Sequence, residues 1–193
     1  MKYKTLNMLA ALALGIFLVG CGPSKNKEEN TDSNEVAEEQ NEDKFETKAS
    51  ERDAEFVANA VAGNYAEIKM AEIAKTRSSN TEVQAIAAML VDDHTAVLNQ
   101  LKDFASKRGI SIPVEEKDDA KDKIADLEKQ DAKDFDKKWC NTLVDKHEKT
   151  IKDFESNWEK TDDSTLKEWI NQTLPHLKTH LDKLTTCDKN LKS

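Results

Sequence analysis

Glycine, proline and basic charge are all in short supply in this chain. Its 193 residues include five glycines and three prolines. The glycines build no phosphate-cradling loop, and neither a Gly-x-Ser-x-Gly elbow nor the Cys/His signature of a thiol enzyme is present. Bases number 29 against 38 acids, for a formal net charge of -9. No basic stripe with interleaved aromatics offsets this charge, and aromatics make up only 6% of the residues. An acidic surface repels phosphate backbones, so nucleic acid is excluded as an expected partner. Anionic lipid headgroups are no better suited to it. Nor does any segment alternate β-branched and polar residues at period two, as a sheet would require. What remains is an all-α chain.

The one continuous apolar stretch, Leu6 to Val19, follows Lys2 and Lys4 and closes on Leu18-Val19-Gly20-Cys21. This pattern resembles a bacterial lipoprotein signal. The run is too short and wrongly flanked for a spanning helix, so residues 1–20 are expected to be removed during export. The thiol of Cys21 would then carry a thioether-linked lipid, and two or more acyl chains make such attachment stable. An ordinary secretory leader with a coincidental cysteine is the competing reading. Losing Lys2 and Lys4 with the leader moves the formal charge from -9 to -11.

Residues 22–50 hold nine acids against four lysines and almost nothing apolar. With Cys21 they are expected to form a lipidated, disordered acidic tether, residues 21–50. Lys27-Glu28-Glu29 is similar to the charged signals that send some lipoproteins to the cell surface, although a plain spacer needs no signal. The expected location is the cell envelope, anchored through lipid at the outer membrane, on its periplasmic or surface face. Residues 51–193 are the size of one domain with a single core. Their two cysteines, Cys140 and Cys187, lie at similar distances from the turn joining their helices. In an exported protein a disulfide between them could persist; two unpaired thiols are the alternative.

Apolar spacing predicts four long helices. The first runs from Arg52 to Arg77 on Phe56, Ala60, Val61, Ile68, Ala71 and Ala74. Ser78-Ser79-Asn80 turns the chain and caps the second, which extends to about Lys107 before Gly109 and Pro113 stop it. A charged segment from Glu115 to Gln130, anchored by Ile124 and Leu127, reads as a short crossover helix outside the main core. The third helix spans about Lys133 to Trp158 and the fourth about Ser164 to Leu191, started by Asp162-Asp163-Ser164 and kinked at Pro175. Trp139, Trp158 and Trp169 read as packing residues. Two hairpins joined by a long crossover make a ferritin-like four-helix bundle.

Ionisable residues interrupt these stripes. At about 100° per residue, His94, His147 and His180 fall inside the stripes of the second, third and fourth helices, and His176 falls on the edge. Glu67, with Asn64 adjacent, lies inward on the first helix, whereas Glu72 does not. Glu67, His94, His147 and His176 are at similar heights from the hairpin turns, and His180 is one turn farther on. One carboxylate and three imidazoles at mid-bundle form a plausible set for Zn²⁺, Fe²⁺ or a similar divalent ion. The competing reading is a metal-free core in which Glu67 pairs with a protonated His147 or His94. Asp136 reads as a supporting group or a cap. A di-iron oxidase is disfavoured, because Val91, Val144, Thr173 and Leu177 stand three residues before the histidines, where Glu-x-x-His needs a carboxylate.

Several of these residues also form a recognisable set: Phe56 with Gly63, Ala66-Glu67-Ile68, Ser79-Asn80 with Val83, Met89-Leu90-Val91-Asp92-Asp93-His94, Phe135-Asp136, His147 and Leu174-Pro175-x-Leu177-x-x-His180. Over nearly all of residues 51 to 190 the chain resembles a ferritin-like bacterial family of exported proteins, domain of unknown function 4142, often labelled outer-membrane proteins. Leu90, between Met89 and Val91-Asp92-Asp93-His94, departs from the family's Met-Val-Asp-Asp-His pattern. The resemblance implies a ferritin-like bundle at the envelope in which Glu67, His94, His147 and His180 are recurring polar positions, and it implies no established activity. The combined expectation is an anchored bundle that binds one divalent metal in storage, sensing or envelope stress. The alternative is a structural or partner-binding lipoprotein with a metal-free polar core.

Overall fold

The computed structural model describes residues 32–192, and the expected leader and Cys21 lie outside the described residues. Six helices follow one another: α1 (Ser33–Lys44), α2 (Lys48–Arg77), α3 (Thr81–Arg108), α4 (Asp118–Glu128), α5 (Ala132–Lys160) and α6 (Ser164–Asn190). No strand occurs among the described residues. The four long helices are those the apolar stripes predict. α2 packs most extensively on α3, and α5 on α6, so the bundle is built from two hairpins.

Local chemistry sets the helix ends. Asn80 Oδ1 accepts the Glu82 N–H at 2.8 Å and the Val83 N–H at 3.3 Å, and Asp163 Oδ1 accepts the Leu166 N–H at 2.9 Å. Each satisfies donors that a helix start leaves open. Gly109 ends α3 in the left-handed region, φ 69°, where other residues are strained, and the Ile110 N–H turns back to the Ala105 carbonyl at 3.0 Å. α6 runs without a break through Pro175.

The interior is divided. One apolar cluster gathers Met70, Val83, Leu90, Phe135, Trp139, Leu143 and Leu184 around the α2/α3 turn and the α5 start. The other gathers Phe56, Val61, Leu98, Leu101, Phe154, Leu166 and Ile170 toward the opposite end. Trp139 is wholly buried in the first, and its ring N–H donates to the Met70 carbonyl at 2.9 Å. Trp169 edges onto Phe56 in the second. Trp158 stands 39% exposed and is not a core residue, contrary to expectation.

Two further expectations are corrected. α4 does not lie outside the core: Leu127 is fully buried and, with Ile124, joins the first cluster. Arg77 secures it by donating to the carbonyls of Leu127, Glu128 and Gln130 at 2.8, 2.6 and 2.6 Å, which cap the open end of α4. The disordered tether also fails for residues 33–50, which form α1 and the start of α2. α1 buries Asn34, Ala37 and Asn41 at helical spacing and leaves Glu35, Glu39, Glu42 and Asp43 exposed. Its docking is polar. Asn41 accepts the Ser111 N–H at 2.7 Å and donates to the Ser111 carbonyl at 2.9 Å. Asp32 caps two helices, accepting from Asn34 N at 2.8 Å and from Asp118 N at 2.8 Å. Hydropathy carries no trace of such bonds, which is why an acidic segment reads as unfolded.

Asn41→Ala should lower the unfolding free energy by about 1–3 kcal/mol, because it leaves both backbone groups of Ser111 without partners. Urea unfolding of the full chain measures this; a midpoint equal to wild type would return residues 33–44 to the status of a spacer.

Candidate metal centre

A polar layer separates the two apolar clusters, and each long helix sends one group into it. α2 contributes Glu67, α3 His94, α5 His147 and α6 His180. All four are buried, with exposures of 2% for Glu67, 3% for His94, 0% for His147 and 3% for His180. Glu67 Oε2 lies 3.0 Å from His94 Nε2 and 3.4 Å from His147 Nε2. His147 Nε2 lies 3.4 Å from His180 Nδ1. One nitrogen from each imidazole lies within 4.8 Å of the others.

Outer partners decide which nitrogen of each ring carries hydrogen. His147 Nδ1 meets the Leu143 carbonyl at 2.9 Å, and a carbonyl only accepts, so Nδ1 donates. His180 Nε2 meets the Asp93 carboxylate at 2.9 Å and donates likewise. Asn64 Nδ2 donates to the Ala60 carbonyl at 2.7 Å, which turns its oxygen toward His94 Nδ1 at 2.9 Å and makes that nitrogen a donor. In the neutral rings His94 Nε2, His147 Nε2 and His180 Nδ1 are therefore bare. They face one another, and those of His94 and His147 also face Glu67 Oε2. With a neutral His94 ring, its Nε2 and Glu67 Oε2, 3.0 Å apart, have no hydrogen between them. Four lone-pair acceptors at such spacing repel unless a cation stands among them.

The spacing suits a metal ion. Four donors held at 2.0–2.1 Å in a tetrahedron sit roughly 3.3 Å apart, against 3.0, 3.4 and 3.4 Å for the three pairs in contact here and up to 4.8 Å among the imidazole nitrogens. An imidazole whose other N–H is anchored to a carboxylate, amide or carbonyl is the usual support of a ligating histidine.

Electrostatics point the same way. Burial pushes the His147 imidazole below its ordinary range and the His180 imidazole down to about 4, the latter against the pull of Asp93. Both rings are thus neutral near pH 7, the form that binds metal. Burial alone would raise the Glu67 carboxyl, but in the acid range where a carboxyl titrates its attraction to His147, its close contact with His94 and the Lys146 ammonium outweigh burial and hold it well below the usual carboxylate range. Lys146 Nζ stands 3.8 Å from Glu67 Oε1, on the oxygen turned away from His94 and His147.

A cavity of about 1000 Å³ runs between the hairpins, is walled on one side by α4, and reaches Glu67, His94, His180 and Lys146. His176 borders it but is exposed, so this candidate does not join the cluster; the next turn of α6 brings His180 in instead. Asp136 supports no ligand. It lies near the two thiols, whose charges it influences. Cys140 and Cys187 are free thiols with Sγ atoms 3.3 Å apart. Asp93 and Lys146 escaped the sequence reading: each directly precedes a ligand candidate, a step that turns about 100° and by itself points to a different face.

The family model described as Domain of unknown function (DUF4142) matches residues 38–186. No curated protein and no solved structure matches the chain.

In the metal-free chain, stability should be lost as pH falls from about 6.5 toward 4. His180 and His147 have folded values below the unfolded one, so the unfolded chain binds more protons across that window. For His180 alone the loss is on the order of 3 kcal/mol. Urea unfolding of chelator-treated protein at pH 7 and pH 4.5 measures it, and equal midpoints would refute neutral buried rings.

Proposed function

This chain belongs to the DUF4142 family, and we propose that it is a lipid-anchored envelope protein whose bundle binds one divalent metal ion. Glu67, His94, His147 and His180 are the proposed ligands. The observation that carries this reading is the buried group of three imidazoles, His94, His147 and His180, with the Glu67 carboxylate against two of them. Three imidazole nitrogens and one carboxylate oxygen favour Zn²⁺, Fe²⁺ or a similar ion over Ca²⁺ and Mg²⁺, which prefer all-oxygen shells. The reading places the protein in metal storage, sensing or envelope stress. The anchor rests on the lipoprotein-type leader, residues 1–20, directly before Cys21.

A second reading is supported by the 3.0 Å approach of His94 Nε2 to Glu67 Oε2, the distance of a charged hydrogen bond if His94 is protonated. In that reading the layer is metal-free and sets helix register, a role that buried polar groups fill in some bundles.

Thermal unfolding of the full chain separates the two. Chelator-treated protein given Zn²⁺, Fe²⁺, Mn²⁺ or Cu²⁺ in turn should gain about 2.7 kcal/mol at a free-ion concentration of one hundred times Kd for the ion that fits. His94→Ala and Glu67→Ala should abolish the gain. Indifference to every ion would leave the metal-free layer. For the anchor, cells fed a labelled fatty acid should label the wild-type chain and not the Cys21→Ser chain; label in both would remove the lipid from the reading.

A further inference from the structure

We propose that Cys140 and Cys187 are a covalent modification site, oxidised to a single buried disulfide that pins α5 against α6. The two thiols come from neighbouring antiparallel helices, are wholly buried, and lie 3.3 Å apart. A disulfide bond is about 2.05 Å long, so closing it requires roughly 1.2 Å of approach.

Their position in the hairpin gives the bond its consequence. Cys140 precedes His147 by seven residues on α5, and Cys187 follows His180 by seven on α6. Seven residues are about two helical turns, so the Cys140/Cys187 contact and the His147/His180 contact are rungs of one antiparallel ladder. Leu143 and Leu184, both fully buried in the same cluster, stand on the rung between. Sliding α6 by one turn would part the two imidazoles by about 5.4 Å. A sulfur–sulfur bond forbids that slide.

In the bond-forming step the two thiols give up two protons and two electrons, and one sulfur–sulfur bond forms. A protein or small-molecule disulfide accepts the electrons and protons and becomes two thiols. The attacking species is a thiolate. Burial pushes both thiols upward in the folded chain, and neither has solvent exposure through which a partner could reach it. Oxidation therefore belongs to the unfolded chain, and closing of the bundle then seals whichever state has formed.

The test uses the full-length Cys21→Ser chain, in which only these two of the three cysteines remain. Reduced and denatured protein is refolded in an oxidising glutathione buffer, while protein folded first in a phosphine reductant is moved to the same buffer. Peptide mapping should find a Cys140–Cys187 cross-link, lighter by two hydrogens, in the refolded sample. The prefolded sample should oxidise at least tenfold more slowly. Free thiols after refolding would overturn the cross-link, and equal rates would overturn the sealing. Register is read by amide hydrogen exchange, which should slow along Cys140 to His147 and His180 to Cys187 in the oxidised form; unchanged exchange would overturn the pinning. The link to the metal ligands rests on the preceding proposal. If that holds, the oxidised form should bind Zn²⁺ at least threefold more tightly than the reduced form, and equal affinities would overturn the link. If neither form binds Zn²⁺, the link fails together with the metal reading for that ion, while the cross-link stands or falls by mass alone.

Discussion

The structure turns on one buried carboxylate. Glu67 sits 2% exposed at mid-bundle, where an ionised group without a counter-charge would cost several kcal/mol. Every long helix responds to it. α3 brings His94, α5 brings His147 and Lys146, and α6 brings His180 into the same layer. The layer is flanked by apolar clusters on two sides and reached by the cavity on a third, so its groups are satisfied by one another, by the cavity's contents or by a bound cation.

The support around the layer is as specific as the layer itself. Asn64 is held by the Ala60 carbonyl so that its oxygen faces His94, the Leu143 carbonyl orients His147, and Asp93 orients His180. Each imidazole thereby presents a chosen nitrogen inward. The α5/α6 hairpin carries two of the three rings, and the facing thiols two turns away place a potential covalent brace on the same ladder. The α2/α3 hairpin is braced differently, through the Asn80 cap and the docking of α1 and α4 against it.

Much of this was legible in the chain. Phe56, Leu90, Leu143, Ile170 and Leu184 fall on stripes of helical period because a helix with one buried face must repeat near 3.6 residues. Asn80, Gly109 and Asp163 mark helix ends because their side chains or backbone freedom answer the open donors and acceptors there. Glu67, His94, His147 and His180 stood out as polar residues on apolar faces. His176 was the error of judging height by counting residues: one turn of α6 shifts a side chain by about 5.4 Å, more than a metal–ligand bond, and decides which histidine enters. Residues 33–44 carry no tertiary signal in hydropathy, which weighs apolar burial, because α1 docks through Asn34, Asn41 and Asp32.

Sequence by itself determined that the described chain is all-helical, where its four long helices lie to within a few residues, and that Glu67, His94, His147 and His180 turn inward, since these follow from periodicity and local backbone chemistry. Only the tertiary structure decided that Glu67 meets His94 and His147 and that His147 meets His180, that Asn64, Asp93 and Leu143 select the facing nitrogens, and that Cys140 meets Cys187. Those outcomes depend on the relative height and rotation of separate helices. Such offsets are set by packing of whole faces across the bundle, and no local pattern along one helix records them.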